Sequence, residues 1–412
     1  MSATRRVLVG LATGATIGLL LASWNQDVAL QVASVAQPIG KLWLNALQMT
    51  VVPLVLALVV IGVNTASDAA ASGRIARRAI VVFIVILTGG ALFAALAAPL
   101  VFSLFPHNPA LIAALGHAVV PSGAEAAPIN WVDTLTAIVP NNAIMAAAQS
   151  AMLPLVVFAL FLGFSLTRIA PARREMLMEF FQAIADAMIV IVRWVLWAAP
   201  LGVFALILAV CARSGLGMLS ALGVYVLVEC LLYLAATAMM LPVAMFFGGE
   251  RIRRFAAALA PAQAVAVSTQ SSLAALPAML EGADRRLGYP TQVTALVLPM
   301  AVTLFRLTSP VQYVTSAVFI AWAYGIDLST AQLVAGALLA VVISLGSVGL
   351  PGQVTFIATN LPVAQAMGLP LGPLGLMLAV DTIPDALATL GNVTADLTAT
   401  SVVARQSRKD TT

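Results

Sequence analysis

From Val7 to Val403 the chain is a succession of apolar runs, most of them long enough to cross a hydrocarbon core of about 30 Å, separated by short clusters of arginine. A backbone immersed in lipid must satisfy its own N–H and C=O groups, so runs of this length fold as helices. Composition agrees: 62% of the residues are hydrophobic and 9% charged, against about 25% charged in soluble chains. That leaves too little polar surface for a soluble domain, a coiled coil, a collagen or a disordered tail. The class is an all-α, polytopic integral membrane protein. The net charge of +4 marks no nucleic-acid face, because the basic residues stand between apolar runs, where loop charge sets membrane orientation. Cys211 and Cys230 form neither a CxxC nor a disulfide framework.

Arg5 and Arg6 precede a run from Val7 to Ser23. A cleaved secretory signal also begins this way, but no small-x-small cleavage site follows and further spans do, so this is the expected first span. Gly10, Gly14 and Gly18 recur in it at the spacing of close helix packing. Further spans are expected near 39–66, 76–105, 141–167, 180–211 and 217–248. Arg74/Arg77/Arg78, Arg168/Arg173/Arg174 and Arg251/Arg253/Arg254 alternate with connections nearly free of Lys and Arg. Cytoplasmic loops carry the Lys/Arg excess, which puts these clusters and the N-terminus on the cytoplasmic side of the inner (plasma) membrane.

The next stretch breaks the alternation. A single crossing by Phe255–Leu280 leaves either Arg251–Arg254 or Arg285/Arg286 outside, whereas two half-crossings keep both inside. At its middle stands Ser268-Thr269-Gln270-Ser271-Ser272, followed by Pro277. A polar, non-helical tip at membrane depth is tolerated where it is buried in protein or lines a cavity. The expected element is a re-entrant hairpin over 253–282. A span follows over 290–324, then a second interrupted run over 331–370, broken at Gly346–Gly352, and a last span over 371–404 ending in Arg405, Arg408 and Lys409. The C-terminus falls inside only if 331–370 also turns back. The expectation is eight transmembrane helices plus two re-entrant hairpins of opposite orientation, an inverted repeat around interrupted helices with a transport site near the midplane. Residues 1–248 hold helices 1–6, and 249–412 hold the transport core.

Ionisable groups inside a membrane are costly and mark function. The last span holds Asp381, Asp385 and Asp396, with Thr389 and Asn392 among them. At about 100° per residue, 381, 385, 392 and 396 fall at roughly 0°, 40°, 20° and 60°, one narrow helical face. Arg306, deep in 290–324, cannot neutralise three aspartates, so the excess negative charge asks for a bound cation, a proton or an ammonium group. Arg306 lies in Phe305-Arg306-Leu307-Thr308-Ser309-Pro310, where the proline interrupts the helix. Its guanidinium fits a substrate carboxylate or a structural counter-ion for Asp381 or Asp385. Ser271 and Ser272 suit ligand contact at a turn, with small-residue helix packing the plainer alternative. Glu229 reads as a loose structural partner. His107 and His117 have no metal-ligand spacing, Asn392-Val393-Thr394 is a false glycosylation match, and no phosphate loop or cofactor motif is present.

Taken in order, several motifs resemble the dicarboxylate/amino acid:cation symporter family, the glutamate-transporter fold. They are Leu47–Leu54, Pro140-Asn141-Asn142 with Leu153-Pro154 and Phe158–Gly163, Ser268–Pro277 (STQSSLAALP), Gly346–Gly352 (GSVGLPG), and Asp381–Asp396 with Leu397-Thr398. The resemblance implies a homotrimer in lipid, working as an elevator on a small amino acid or carboxylate, with Na+ or H+ as coupling ion and no cofactor. It implies that Asp385 binds the substrate amino group and that Thr389 and Asn392 contact the carboxylate end. Gln270, Ser271 and Ser272 of the first tip would hold the α-carboxylate, and Gly352 of the second hairpin would border the substrate. Asp396 with Asn392 would form a sodium site, with Asp381 and Ser347 supporting the cations.

This chain departs from that pattern in two places. Acidic-substrate members carry an arginine one turn after the second aspartate, where this chain has Ala388. The family's Asn-Met-Asp-Gly-Thr becomes Phe305-Arg306-Leu307-Thr308-Ser309, so two oxygen ligands are replaced by Phe305 and Leu307 and a fixed charge appears between them. Hard cations need oxygen ligands, so at least one sodium site is expected to be lost. Arg306 then stands in for the cation or recognises an anionic substrate group. The leading reading is a secondary symporter, and the alternative is an uncoupled, channel-like facilitator. A transporter-derived sensor lacks a signalling domain in the short Ser401–Thr412 tail, and an enzyme lacks a nucleophile–base pair.

Overall fold

The computed structural model describes residues 3–71, 73–106, 139–214, 217–346 and 352–409, and every regular element in them is helical. α1 (Ala3–Trp24) and α2 (Gln26–Gln48) are separated by Asn25, whose Oδ1 accepts from the backbone N–H of Asp27 at 2.9 Å and Val28 at 3.2 Å and so caps α2. With α3 (Val51–Ala71), α2 makes one stretch of 46 residues, longer than the 39–66 expected from hydropathy. α4 (Arg74–Phe102), α5 (Ala143–Ala148), α6 (Met152–Leu166), α7 (Pro171–Trp197), α8 (Ala199–Ser214) and α9 (Gly217–Phe246) complete the first half. The runs at 141–167 and 180–211 are therefore each two helices rather than one.

The second half begins with α10 (Ile252–Thr269) and α11 (Ser272–Glu281), which pack on each other, and a π turn over Gly282–Leu287. Gln270 between them is left-handed (φ 51°), and the Ser271 Oγ accepts from the Ala274 N–H at 3.3 Å to start α11. α12 (Thr291–Leu304) and α13 (Thr308–Tyr324) flank the break at Phe305–Leu307. α14 (Thr330–Gly346) and α15 (Gly352–Ala366) follow, and the tip between them, including Ser347, lies outside the described residues. α16 (Leu374–Val380) and α17 (Thr382–Lys409) close the chain, bent by 71° at Asp381. Among the described residues, five helical stretches are long and apolar enough to cross a membrane, or six with the bent pair counted as one.

The breaks share a cause. Pro53, Pro154, Pro310 and Pro384 are each the third residue of the helix that follows a break. A proline there starts a helix without strain, but it cannot donate to the carbonyl four residues back, and its ring crowds that carbonyl. The preceding helix therefore stops at that carbonyl or within two residues of it. At the third break the Arg306 carbonyl instead accepts from the Ser309 N–H at 3.0 Å.

Both α1 and α2 pack along α8. The glycine stripe makes this possible, as its spacing predicts: a Cβ on Gly14 would lie 2.6 Å from the Phe204 carbonyl oxygen and from Ile207 Cγ2, and one on Gly18 would lie 2.8 Å from the Leu208 carbonyl. Gly14→Leu is expected to cost about 1–3 kcal/mol through overpacking, read as a lower melting midpoint in detergent. An unchanged midpoint would mean that α1 is free to separate from α8.

Elsewhere α9 runs along α17 and touches α13, α4 packs on α13 and α14, and the α10–α11 pair leans on α17. The late helices are thus enclosed by α4 and α9, and α17 is buried from Gly391 to Ala404 although it carries Asn, Asp, Thr and Ser. Basic clusters collect at one end. Arg78 donates to the Gln406 carbonyl at 3.2 Å, Arg405 to that of Phe246 at 2.6 Å, Arg254 to that of Arg286 at 2.8 Å, and Arg408 to that of Gly288. The chain that leaves this end at Arg254 therefore returns to it at Arg286.

Candidate functional site

Several of the buried and half-buried polar side chains lie at the bend between α16 and α17, the break between α12 and α13, and the turn between α10 and α11. Asp381 occupies the bend, 1% exposed, and accepts from Gln312 Nε2 of α13 at 2.6 Å. This corrects the single-face expectation. The angular register holds for Asp385, Asn392 and Asp396 within α17, but Asp381 sits at a 71° corner and projects from a different axis. The corner lies at Asp381, ahead of Pro384, because that proline is in the first turn of the new helix. Among the described residues no three acidic, histidine or cysteine side chains converge on a metal-sized site.

Asp385 is half-buried in the first turn of α17, where the helix N-terminus favours negative charge. Its carbonyl accepts from Thr389 Oγ1 at 2.8 Å. Asn392 Oδ1 accepts from both the N–H (3.0 Å) and the Oγ1 (2.9 Å) of Thr308, which fixes the start of α13 onto α17. Close approach is needed here, since a Cβ on Gly391 would lie 2.8 Å from Thr308 Cγ2. Asn392 Nδ2 and both carboxylate oxygens of Asp396 are buried without a hydrogen-bond partner among the described residues. A wholly buried carboxylate in that condition requires a proton or a cation to offset its charge.

Gln270 brings the first tip to the bend: its Nε2 donates to the Thr382 carbonyl at 3.2 Å. Ser271 and Ser272 are half-buried beside it, Ser271 acting as the α11 cap. Arg306 is half-buried in the α12–α13 break, and its charge acts on Asp381, Asp385 and Asp396 alike. Its neighbours in sequence are pure packing residues. Phe305 stacks on Phe83 of α4 with ring centroids 4.7 Å apart and planes 8° apart, and Leu307 fills the space over Gly90, where a Cβ would meet its Cδ1 at 2.8 Å. Ala388 is buried, and its carbonyl accepts from Thr308 Oγ1 at 3.3 Å. Gly352 opens α15.

Sequence reading missed part of this network. Gln312 and Thr308 hold Asp381 and Asn392, and their position behind a broken helix is the only signal in the sequence that pointed to them. Glu229 proves to be no loose partner. It is 0% exposed on α9 and accepts from the Tyr233 O–H at 3.0 Å.

A bundle of broken helices with buried acids inside and apolar residues outward has the form of a membrane carrier. The sequence matches the Sodium:dicarboxylate symporter family over residues 3–406, and the chain belongs to that family. It is 29% identical to the Proton/glutamate-aspartate symporter of Escherichia coli (strain K12), covering 98% of this chain and 92% of the relative. It is likewise 29% identical to the Proton/sodium-glutamate symport protein of Bacillus subtilis (strain 168), over 97% and 94%. Identity is again 29% to the Neutral amino acid transporter B(0) of Oryctolagus cuniculus, over 94% and 77%. The protein is a secondary active symporter and not an enzyme, and the uncoupled facilitator finds no support in these relatives.

Proposed function

We propose that this protein concentrates a small amino acid or carboxylate across the plasma membrane by symport in which protons replace at least one sodium ion. The carrying observation is the α12–α13 break, where the charge of Arg306 acts on the three aspartates and its neighbours Phe305 and Leu307 are both buried as apolar packers. A permanent positive charge occupies the neighbourhood that cation ligands serve in the resembling family, so a sodium ion there meets both repulsion and missing oxygens. Asp385 pairs with the substrate amino group. Thr389, Asn392 and the tip residues Gln270, Ser271 and Ser272 receive its carboxylate end. Asp396 with Asn392 remains as a cation or proton site. Ala388, in place of an arginine, weakens recognition of a side-chain carboxylate from this direction.

The architecture that serves this is eight spans and two re-entrant hairpins in a homotrimer. The hairpin-bearing half (249–412), with part of 1–248, moves as an elevator while the rest stays as scaffold. The gathering of Arg78, Arg254, Arg286, Arg405 and Arg408 at one end supports a cytoplasmic placement of both termini. The α10–α11 pair, which leaves and rejoins that end with its tip on Thr382, supports the first hairpin. The second hairpin, 331–370, is the gate.

The test is uptake into proteoliposomes with proton and sodium gradients imposed separately, using neutral amino acids and dicarboxylates in turn. An inward proton gradient alone is expected to drive accumulation at least tenfold over the gradient-free control. Accumulation that needs several sodium ions and ignores the proton gradient would overturn the replacement of sodium by protons.

A further inference from the structure

Within the bundle, Glu229 is a fully buried carboxyl that the proposed substrate and cation sites do not use. One oxygen accepts from Tyr233 O–H at 3.0 Å, and Oε2 has no hydrogen-bond partner among the described residues. The groups around it are neutral or negative. Tyr225, whose phenol lies 3.3 Å from Ser316 Oγ, and Cys230 flank it from its own helix. From α13 it is faced by Gln312, whose amide donates to Asp381 at 2.6 Å and also acts on Glu229. The charges that act across the contact are the carboxyls of Asp381 and Asp385, whereas Arg306 serves the aspartates. Phenol O–H and amide N–H groups are donors, so this shell suits a carboxyl and offers little to a metal ion. Two carboxylates facing each other in a low-dielectric interior cannot both stay charged without a partner.

We propose that Glu229 is the residue that carries the coupling proton, a role that rests on the proton-coupled reading above. The proton adds to a Glu229 carboxylate oxygen from the side of higher acidity and leaves to water on the other, with no other bond made or broken. Loading it removes the repulsion between Glu229 and Asp381. Asp381 then keeps its Gln312 bond, and the bend that aims Asp385 at the substrate stays closed against α9. With Glu229 ionised the two carboxylates repel, and the bend loosens. Substrate binding and proton loading are thereby linked through one helix contact.

The experiment measures proton and substrate fluxes together in proteoliposomes that enclose a pH-sensitive dye. The wild type is expected to take up protons with substrate. Glu229→Gln, a neutral isostere of the loaded state, is expected to lose at least tenfold of the proton flux per substrate while substrate-for-substrate exchange persists. It should also lose one component of the infrared carbonyl stretch of protonated acids, seen as a wild-type-minus-variant difference band. Glu229→Asp is expected to retain coupled flux. Tyr233→Phe removes an O–H that favours the carboxylate, so the pH midpoint of exchange is expected to move to higher pH. That variant keeps the test open if Glu229→Gln fails to fold. A wild type that moves no protons would overturn the proton-coupled reading itself. A coupled wild type with an unchanged proton-to-substrate ratio in Glu229→Gln, or an unmoved midpoint in Tyr233→Phe, would overturn only the assignment to Glu229.

Discussion

Asp385→Asn is expected to abolish concentrative uptake and to weaken substrate binding by about 30-fold to more than 1,000-fold. The range follows from the cost of truncating one partner of a buried, hydrogen-bonded charge pair, about 2–5 kcal/mol, at about 1.4 kcal/mol per factor of ten. Asp385 is well placed for that pair. It is half-buried, whereas Asp381 and Asp396 are 1% and 0% exposed. Its backbone N–H is held by the Asp381 carbonyl at 3.0 Å, and its own carbonyl is held by Thr389. The side chain therefore projects from a fixed corner, and an amide there retains the shape but not the charge. Calorimetric titration of the purified variant with the transported amino acid measures the loss. Binding within threefold of wild type would move the ammonium site elsewhere. Because Asp385 is the most accessible of the three, its removal should leave the melting midpoint in the absence of substrate nearly unchanged.

Arg306→Met is expected to do the opposite, acting on stability before affinity. Removing one partner of a buried ion pair costs about 3–5 kcal/mol, because the other charge stays buried without compensation. Arg306 is half-buried, so the loss is expected below that range. Here the guanidinium acts on all three aspartates. The variant should melt well below wild type in sodium-free buffer and recover part of the loss when sodium is added or pH is lowered, since either supplies the missing positive charge. Sodium should leave the wild-type midpoint much less affected. Thermal denaturation in detergent across sodium concentration and pH measures this, and a ligand screen on the same samples separates the two roles left open for Arg306. If the variant melts like wild type with no sodium response, the charge is not a cation surrogate. If stability is spared and only carboxylate ligands are lost, the guanidinium recognises substrate.

The two variants probe one electrostatic arrangement from opposite sides. Asp385 offers negative charge to solvent, and Arg306 offsets negative charge that solvent cannot reach. Phe305 and Leu307 show why this arrangement is not easily reversed. The first is stacked on Phe83 and the second is seated over Gly90, so restoring oxygen ligands at either position also removes a packing contact between α4 and the α12–α13 break.

Much of this was legible before any coordinates. The basic clusters located the loops, and Arg251–Arg254 against Arg285/Arg286 revealed a chain that turns back, which the Arg254–Arg286 hydrogen bond reproduces. Ser268–Ser272 marked a helix break that the structure places at Gln270 and Ser271. The glycine stripe of α1 predicted a close helix neighbour, though not that it would be α8. Helical periodicity put Asp385, Asn392 and Asp396 on one face, and they remain there.

What the sequence determined, then, is which segments form apolar helices, where basic ends lie, and which polar residues point inward, because hydropathy, charge and a 3.6-residue period act locally. What only the tertiary structure decided is which inward groups meet. Pro53, Pro154, Pro310 and Pro384 end helices, yet Pro38, Pro99, Pro242, Pro261, Pro299 and Pro362 lie inside helices that continue past them. Whether a proline breaks a helix depends on the packing around the carbonyl it leaves unbonded. One such break turns Asp381 off its expected face, to where its charge and that of Glu229, on a helix from the other half of the chain, act on each other. No periodicity carries that pairing, because it arises from how α9, α13 and α17 fit together around their side chains.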